Sequence, residues 1–267
     1  MGLPRIVRIG LTMLEGKKFY KYRAINDHTF DIFVKKQIFA PFPADLNDPF
    51  DCGIQLEEAT HEEAVEFLVR GGKKKDIPEE VTRSNLKSYL DENGTLKQEH
   101  VVDINRAMSI AMKHLKTYGV ICFSEKPADI LMWSHYTDNH KGVCLEFTAE
   151  KGSDLANPII NYKVTYLPEY PRLKITDFLN DDPSIPSKIV MWSKAKIWEY
   201  EAEWRLIDKK GGQPVDFPGR LSGIIFGLRC RNKHIKKIVN LTRKFSGIQS
   251  MKVHQVPRRF EIEIKPL

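Results

Sequence analysis

Between Thr60 and Tyr118 apolar residues recur every three or four positions, whereas on either side they alternate or gather in short runs. The first pattern belongs to amphipathic helices and the second to strands, and neither element can bury the other's pattern on one face. Within the block, His61–Leu68 and Glu79–Leu90 predict short helices. Val101, Ile104, Met108, Ala111, Met112 and Leu115 predict a longer one, with Gly119 placed as its C-cap. Strands are predicted over Phe19–Ile25 before the block. After it they are predicted over Val120–Ser124, Gly142–Thr148, Ile159–Tyr166, Trp198–Ile207, Gly223–Phe226, Met251–Val256 and Phe260–Ile264. Ile235, Ile238, Val239 and Phe245 suggest one late helix. Loops are expected at Arg70–Asp76, Glu150–Pro158, Asn180–Ser187 and Lys209–Gly219, which are rich in Gly, Pro, Asp or Lys. Strands gathered around one helical segment imply an α+β fold rather than a regular βαβ alternation. We read one domain over residues 1–267, with a helical insertion at about 60–118.

Composition and charge narrow the function classes. With 267 residues, 42% hydrophobic and 29% charged, the chain can bury a sizeable core and is not broadly disordered. No apolar run approaches the ~20 residues that cross a bilayer, so no membrane partner is expected. Arg5 and Arg8 interrupt the apolar stretch of Met1–Gly10, which makes it a poor signal peptide, and Ile6 stands where a myristoylation signal wants Ser or Thr. The expected address is the cytoplasm. Cys52, Cys122, Cys144 and Cys230 lie far apart without a CxxC pair, so neither a disulfide framework nor a zinc cluster is expected. The net charge is +7, but Leu228–Phe260 contains ten Lys and Arg and no Asp or Glu, leaving −3 for the remainder. Such a basic region can track phosphates, and Arg229, Arg231, Lys236 and Lys237 are its candidate nucleic-acid contacts.

Two segments carry most of the polar chemistry. Read with a period of two, Trp198–Ile207 puts Trp198, Tyr200, Ala202, Trp204 and Leu206 on one face and Glu199, Glu201, Glu203 and Arg205 on the other. A carboxylate pair beside an arginine suits reactions that develop positive charge on a sugar ring, or a two-carboxylate hydrolysis. The alternative is a solvated edge strand. Gly119–Phe147 combines a strand ending at Ser124 with a short helix opened by Asp129 and carrying Met132, Trp133, His135 and Tyr136. These aromatic and polar groups could line a ligand pocket. His135 and His140 are five apart, which fits no zinc spacing, and no metal site is assigned. Ala44–Asp51 reads as a turn around Asn-Asp-Pro. GxxxxGK[ST], GxGxxG and GxSxG do not occur, so P-loop, dinucleotide and hydrolase-elbow readings lack motif support.

Four ordered stretches, Tyr20–Ile25, Asn47–Asp51, Cys122–Phe147 and Trp198–Leu206, carry a resemblance to the bacterial family catalogued as domain of unknown function 2971. The resemblance runs from about Phe19 to about Gly227, and members of families of this kind often sit in defence or toxin settings. A more distant likeness is to ADP-ribosyltransferases. That superfamily uses in order an Arg or His, a Ser or Thr/Tyr, and a Glu often in a Glu-x-Glu pair, matched here by Arg23, Ser124 and Glu201-Ala-Glu203. The likeness implies a split, mainly antiparallel sheet and NAD as cofactor. It would give Arg23 the cofactor phosphate and Ser124 the support of the site. Glu203 would hold the nicotinamide ribose, and Glu201 would orient or deprotonate the acceptor. Tyr22, Trp133, His135 and Tyr136 would complete the cofactor pocket, and Arg205 would meet a nucleic-acid acceptor. The rival expectations are a metal-dependent nuclease using Glu201 and Glu203, and a non-catalytic nucleic-acid or partner-binding module.

Overall fold

The alternation read from Phe19 onward is realised as a strand at the centre of a large sheet. The structure, a computed structural model, describes residues 14–267 apart from 74, 181 and 183. The reading of Met1–Gly10 therefore lies outside the described residues, as do single positions of the loops expected around 70–76 and 180–187. The chain runs β1 (Lys18–Arg23), α1 (Asp27–Lys35), β2 (Gln37–Ala40), β3 (Gln55–Leu56), α2 (His61–Lys73), α3 (Glu79–Leu86) and α4 (Gln98–Leu115). Next come β4 (Gly119–Ser124), α5 (Ile130–Tyr136), β5 (Val143–Thr148), β6 (Asn161–Lys163), β7 (Thr165–Leu167), β8 (Arg172–Leu173) and α6 (Ile185–Met191). They are followed by β9 (Ser193–Ala195), β10 (Glu203–Asp208), β11 (Gln213–Asp216), β12 (Arg220–Phe226), α7 (Asn232–Thr242), β13 (Gln249–Gln255) and β14 (Ile262–Pro266). These elements gather in two compact units, one of residues 14–41, 119–164 and 197–267, the other of residues 42–118 and 165–196.

The first unit holds an eight-stranded sheet in the order β14-β13-β12-β5-β1-β4-β10-β6. Every neighbouring pair is antiparallel except β12 and β13, which α7 connects as a crossover between parallel strands. The fold is thus mixed α and β around a mostly antiparallel sheet. β1 and β5 stay in register from Lys18/Thr148 to Arg23/Val143, but β1 meets β4 only where Tyr20 stands opposite Ser124. One face of the sheet carries Phe19, Phe123, Leu145, Phe147, Trp204, Leu206, Ile224 and Phe226, packed with Ile32 and Phe33 of α1 and Ile235 and Ile238 of α7. The other face carries Tyr22, Cys144, Ile225 and Val253, packed with Met132 and Trp133 of α5. Coverage on both sides explains why the central strands read as continuous apolar runs.

The second unit is built on α2, α3 and α4. Thr60 and Glu63 form a capping box at the start of α2, each binding the other's backbone N–H. On α4 the predicted stripe is realised, with Val101, Met108 and Met112 buried. Two short parallel pairs, β3 with β8 and β7 with β9, belong to the same unit.

Several local expectations are corrected. Gly119 is the first residue of β4, and the α4 C-cap is Lys116. Gly119 answers to packing, because a Cβ there would stand 2.8 Å from the Ala40 Cβ. Arg70, Gly71 and Gly72 continue α2 instead of starting a loop, and β11 lies inside the expected loop at 209–219. The strand expected over Ile159–Tyr166 divides: β6 pairs with β10, and β7 pairs with β9. α1, β2 and α6 were not foreseen. Among the described residues no helix is long and apolar enough to cross a membrane.

Candidate active site

The strand expected over Trp198–Ile207 begins only at Glu203. Residues Lys196–Glu201 form a 3₁₀ turn, and Ala202 takes the left-handed conformation at φ 44° between the turn and β10. This is the first correction to the carboxylate row: Glu199 and Glu201 sit on a turn, and the two-residue period applies from Glu203 onward. Of the aromatic face expected behind the row, Trp204 is buried while Trp198 and Tyr200 are half-exposed.

The turn is tied to its neighbours through polar contacts. Ser124 Oγ donates to the Glu201 carbonyl at 2.6 Å, and the Glu125 N–H donates to the Ala202 carbonyl at 3.1 Å. Ser124 thus holds the bend that lies between the two glutamates. Tyr136 Oη, at the end of α5, donates to Glu201 Oε1 at 2.6 Å. Glu203 and Arg205 share one face of β10, where Arg205 Nε and Nη2 reach Glu203 Oε1 and Oε2 at 2.7 and 3.2 Å. Both are buried, so their bidentate pair forms at low dielectric. The expected row of like charges is in fact a compensated pair.

Register extends this group across the sheet. Glu203 stands opposite Ser124, Ser124 opposite Tyr20, and Tyr20 opposite Glu146. Glu146 is buried and accepts from Ser222 Oγ at 2.8 Å and from Tyr20 Oη at 3.2 Å, with Lys18 Nζ at 3.0 Å. Burial, reinforced by Glu146, raises the Tyr20 phenol above its ordinary range. Beside the row, Lys21 is buried with its Nζ 3.1 Å from the Cys122 carbonyl. Burial, then the charge of Arg23, pushes its pKa down to about 7, against the pull of Glu203.

On the neighbouring strand end, Glu125 is an anchoring hub. It binds Lys17 at 2.5 Å, Lys163 at 2.6 Å and the Trp204 indole N–H at 2.8 Å. Burial alone would raise its pKa, but these donors outweigh it and hold the carboxyl at about 2.

The remaining expected residues fall in different places. Trp133 is fully buried, its indole N–H bound to the Pro127 carbonyl, and Tyr22 is buried beside it with its hydroxyl on the Lys126 carbonyl. The two rings pack edge to face at 5.2 Å, so both serve the core beneath α5 and offer no surface to a cofactor. His135 is exposed, with its ring 6.4 Å from that of Tyr200 and 6.5 Å from that of Tyr136. Trp198 lies 6.0 Å from Tyr200 and extends this aromatic rim.

Arg23 does not join the group. Side chains alternate along a strand, and Arg23 stands opposite Val143 of the α1/α7 core, whereas Tyr20 and Glu203 share the α5 face. The arginine required by the ADP-ribosyltransferase likeness is therefore on the wrong side of the sheet. Arg205 is corrected as well: it is fully buried against Glu203 and cannot meet a nucleic acid. Lys236 and Lys237 are exposed on α7, and Arg229 and Arg231 precede that helix. α7 packs on the face opposite α5, so this basic group and the glutamates occupy different sides of the unit.

The turn between α5 and β5 has an unusual backbone. Asp138, Asn139 and His140 are all left-handed, with φ of 50°, 54° and 67°, in the turn that leads to Gly142 and β5. Asp, Asn and His are the non-glycine residues that enter this region most readily. The turn is held by N–H donation from Gly227 to the Gly142 carbonyl at 2.9 Å and from Arg229 to the His140 carbonyl at 2.9 Å.

The segment that carries Tyr136, this turn, Glu201, Glu203 and Arg205 is also the segment with a known relationship. Residues 132–206 match the family model described as Protein of unknown function (DUF2971). The match takes in Trp198–Leu206 and most of Cys122–Phe147, so the family resemblance is shown over this stretch, from α5 into β10, while Tyr20–Ile25 and Asn47–Asp51 lie outside it. No curated protein and no solved structure matches the chain. The family segment supplies both glutamates and Tyr136, while Tyr20 and Ser124 come from outside it. Among the described residues no group of three or more His, Cys, Asp and Glu side chains is placed to hold a metal. The assembled chemistry is that of two buried carboxylates, Glu201 bound by the Tyr136 hydroxyl and Glu203 by Arg205, beside an aromatic rim.

Proposed function

We propose that the first unit is the catalytic body of an ADP-ribosyltransferase-like enzyme that transfers a glycosyl group from NAD. The observation that carries the reading is the convergence of Ser124, Tyr136, Glu201 and Glu203, which three separate parts of the chain supply. Cleavage of a nicotinamide–ribose bond develops positive charge on the sugar, and a nearby carboxylate stabilises that charge. In this reading Glu203 supplies the charge and Glu201, oriented by Tyr136, addresses the acceptor. The half-exposed rings of Tyr136, Tyr200 and Trp198 offer a face for the nicotinamide or adenine. The reading is supported by the narrow joint between β1 and β4, which pair only at Tyr20/Ser124, as a partly split sheet would. Arg23 has no part in this version. A non-catalytic binding module is the second reading, favoured by the closed Glu203–Arg205 pair, which leaves the carboxylate little freedom to meet a ligand.

The test is release of nicotinamide from NAD by the purified protein and by Glu203→Gln. The expected result is turnover by the wild type and a loss of roughly 10²–10³-fold in the variant, the size reported for removing one electrostatic group from a desolvated site. Unchanged turnover in Glu203→Gln removes this carboxylate from the chemistry. No release by the wild type favours the binding module.

A further inference from the structure

α7 is amphipathic in a specific way. Ile235, Ile238 and Thr242 are buried, and Lys233, Lys236 and Lys237 are exposed on the opposite side, while Arg243 caps the helix C-terminus and Lys244 follows in the next turn, both exposed. At 100° per residue Lys233, Lys236 and Lys237 fall in a stripe about 100° wide, which Arg243 and Lys244 extend past the helix end. Among the described residues, the carboxylate ion pair made from positions 228–260 is that of Arg259 with Glu261, at 3.5 Å, and none involves the α7 stripe. On the adjoining helix α1 the acid Asp31 is already paired with Lys35 at 2.8 Å. Lys237 is braced over the ring of Phe30 at 3.6 Å, which steadies its ammonium on the surface. The local potential acts on His234 as well: burial, followed by the charges of Lys233, Arg231 and Lys237, lowers its pKa.

We infer that this face of α7 is a sequence-independent binding surface for the phosphate backbone of a nucleic acid. From Lys233 to the capping Arg243 the basic patch is about 15 Å long at 1.5 Å per residue, comparable with the axial rise of four to five phosphates of one duplex strand. A lipid surface fits less well, because the apolar side of α7 is already committed to the core and has nothing left to insert. The surface is independent of the NAD reading, since α7 and the glutamates lie on opposite faces of the sheet.

The experiment is fluorescence anisotropy of a labelled 20-base-pair duplex with the full chain, titrated from 50 to 200 mM salt. Five phosphate contacts give a log–log slope of about −4.5, so affinity falls roughly 500-fold over that range. Lys233→Gln/Lys236→Gln/Lys244→Gln spares the Lys237–Phe30 contact and lowers the slope to about −1.8, a loss of roughly 12-fold over the same range. Because the three lysines are exposed, the variant melts with the wild type, and that melting curve is its folding control. A wild-type slope shallower than about −2, or a triple variant with the wild-type slope, overturns the inference. So does preferential sedimentation of the wild type with phosphatidylserine vesicles, lost in the same variant, without duplex binding.

Discussion

Arg205→Met is the most exacting test of the buried pair on β10. Arg205 is 0% and Glu203 3% exposed, and two hydrogen bonds join them. Methionine fills most of the arginine's volume, so the change removes charge and donors while leaving only a small cavity. A carboxylate that loses its bidentate partner in such a site costs about 3–5 kcal/mol. For a chain of this size that corresponds to a fall in melting temperature of roughly 6–20 °C. The assay is urea unfolding followed by tryptophan fluorescence, with Glu203→Leu and the double variant completing a cycle. In the double variant the charge has gone with its partner, so stability returns to near the wild-type value or exceeds it, and the coupling energy is large. A cost below about 1 kcal/mol for Arg205→Met, the size seen for a solvent-exposed pair, would refute the reasoning.

Lys21 gives a pH signature. Its folded pKa of about 7 lies below the ordinary 10.5, so above pH 7 the unfolded chain holds a proton that the folded chain gives up, and stability rises with pH. The destabilisation is complete below pH 7, and Lys21→Met abolishes a slope of up to about 1.4 kcal/mol per unit in urea unfolding between pH 7 and 8.5. Equal slopes in the two proteins would contradict the assignment. Ala202→Gly relieves a left-handed backbone and raises stability by about 1 kcal/mol in the same assay; a decrease would show that the Ala202 methyl matters more than its φ of 44°.

The sequence was legible where burial imposes a period. The α4 stripe, β4, β5 and β12 follow from their apolar spacing, and Asp129 caps α5 as its position before Ile130 suggested. It was illegible where one residue changes the backbone. Alternation from Trp198 to Leu206 is present in the residue types, but Ala202 in the left-handed region converts its first half into a turn. Alanine carries no mark of that conformation, unlike glycine or asparagine. The site was legible in part: Ser124, Tyr136, Glu201 and Glu203 were named and do meet. Arg23 was misplaced for a physical reason. Order along the chain is blind to parity, and only the pairing of Arg23 with Val143 shows which face the side chain takes. The Asn26/Thr29 capping box of α1 was readable, whereas the strand pairing that joins residues 165–196 to the helical unit is the two-residue β3–β8 pair, too short to leave a pattern.

The central place of β1 sets the timetable of synthesis. Tyr20 and its partner Glu146 are 126 positions apart. At the usual 5–20 residues per second, the ribosome takes about 6–25 s to deliver β5 after β1 has been made. During that interval the β5 edge of Lys18–Arg23 has no native strand to pair with, β4 meets the other edge only at Tyr20/Ser124, and Phe19 and Tyr22 have no finished core. The helices α2 to α4 emerge in the gap and close on local contacts. The strand translated early is thus finished late, and a nascent chain stalled before Val143 exposes an unpaired edge of the kind that chaperones cover and that aggregates recruit.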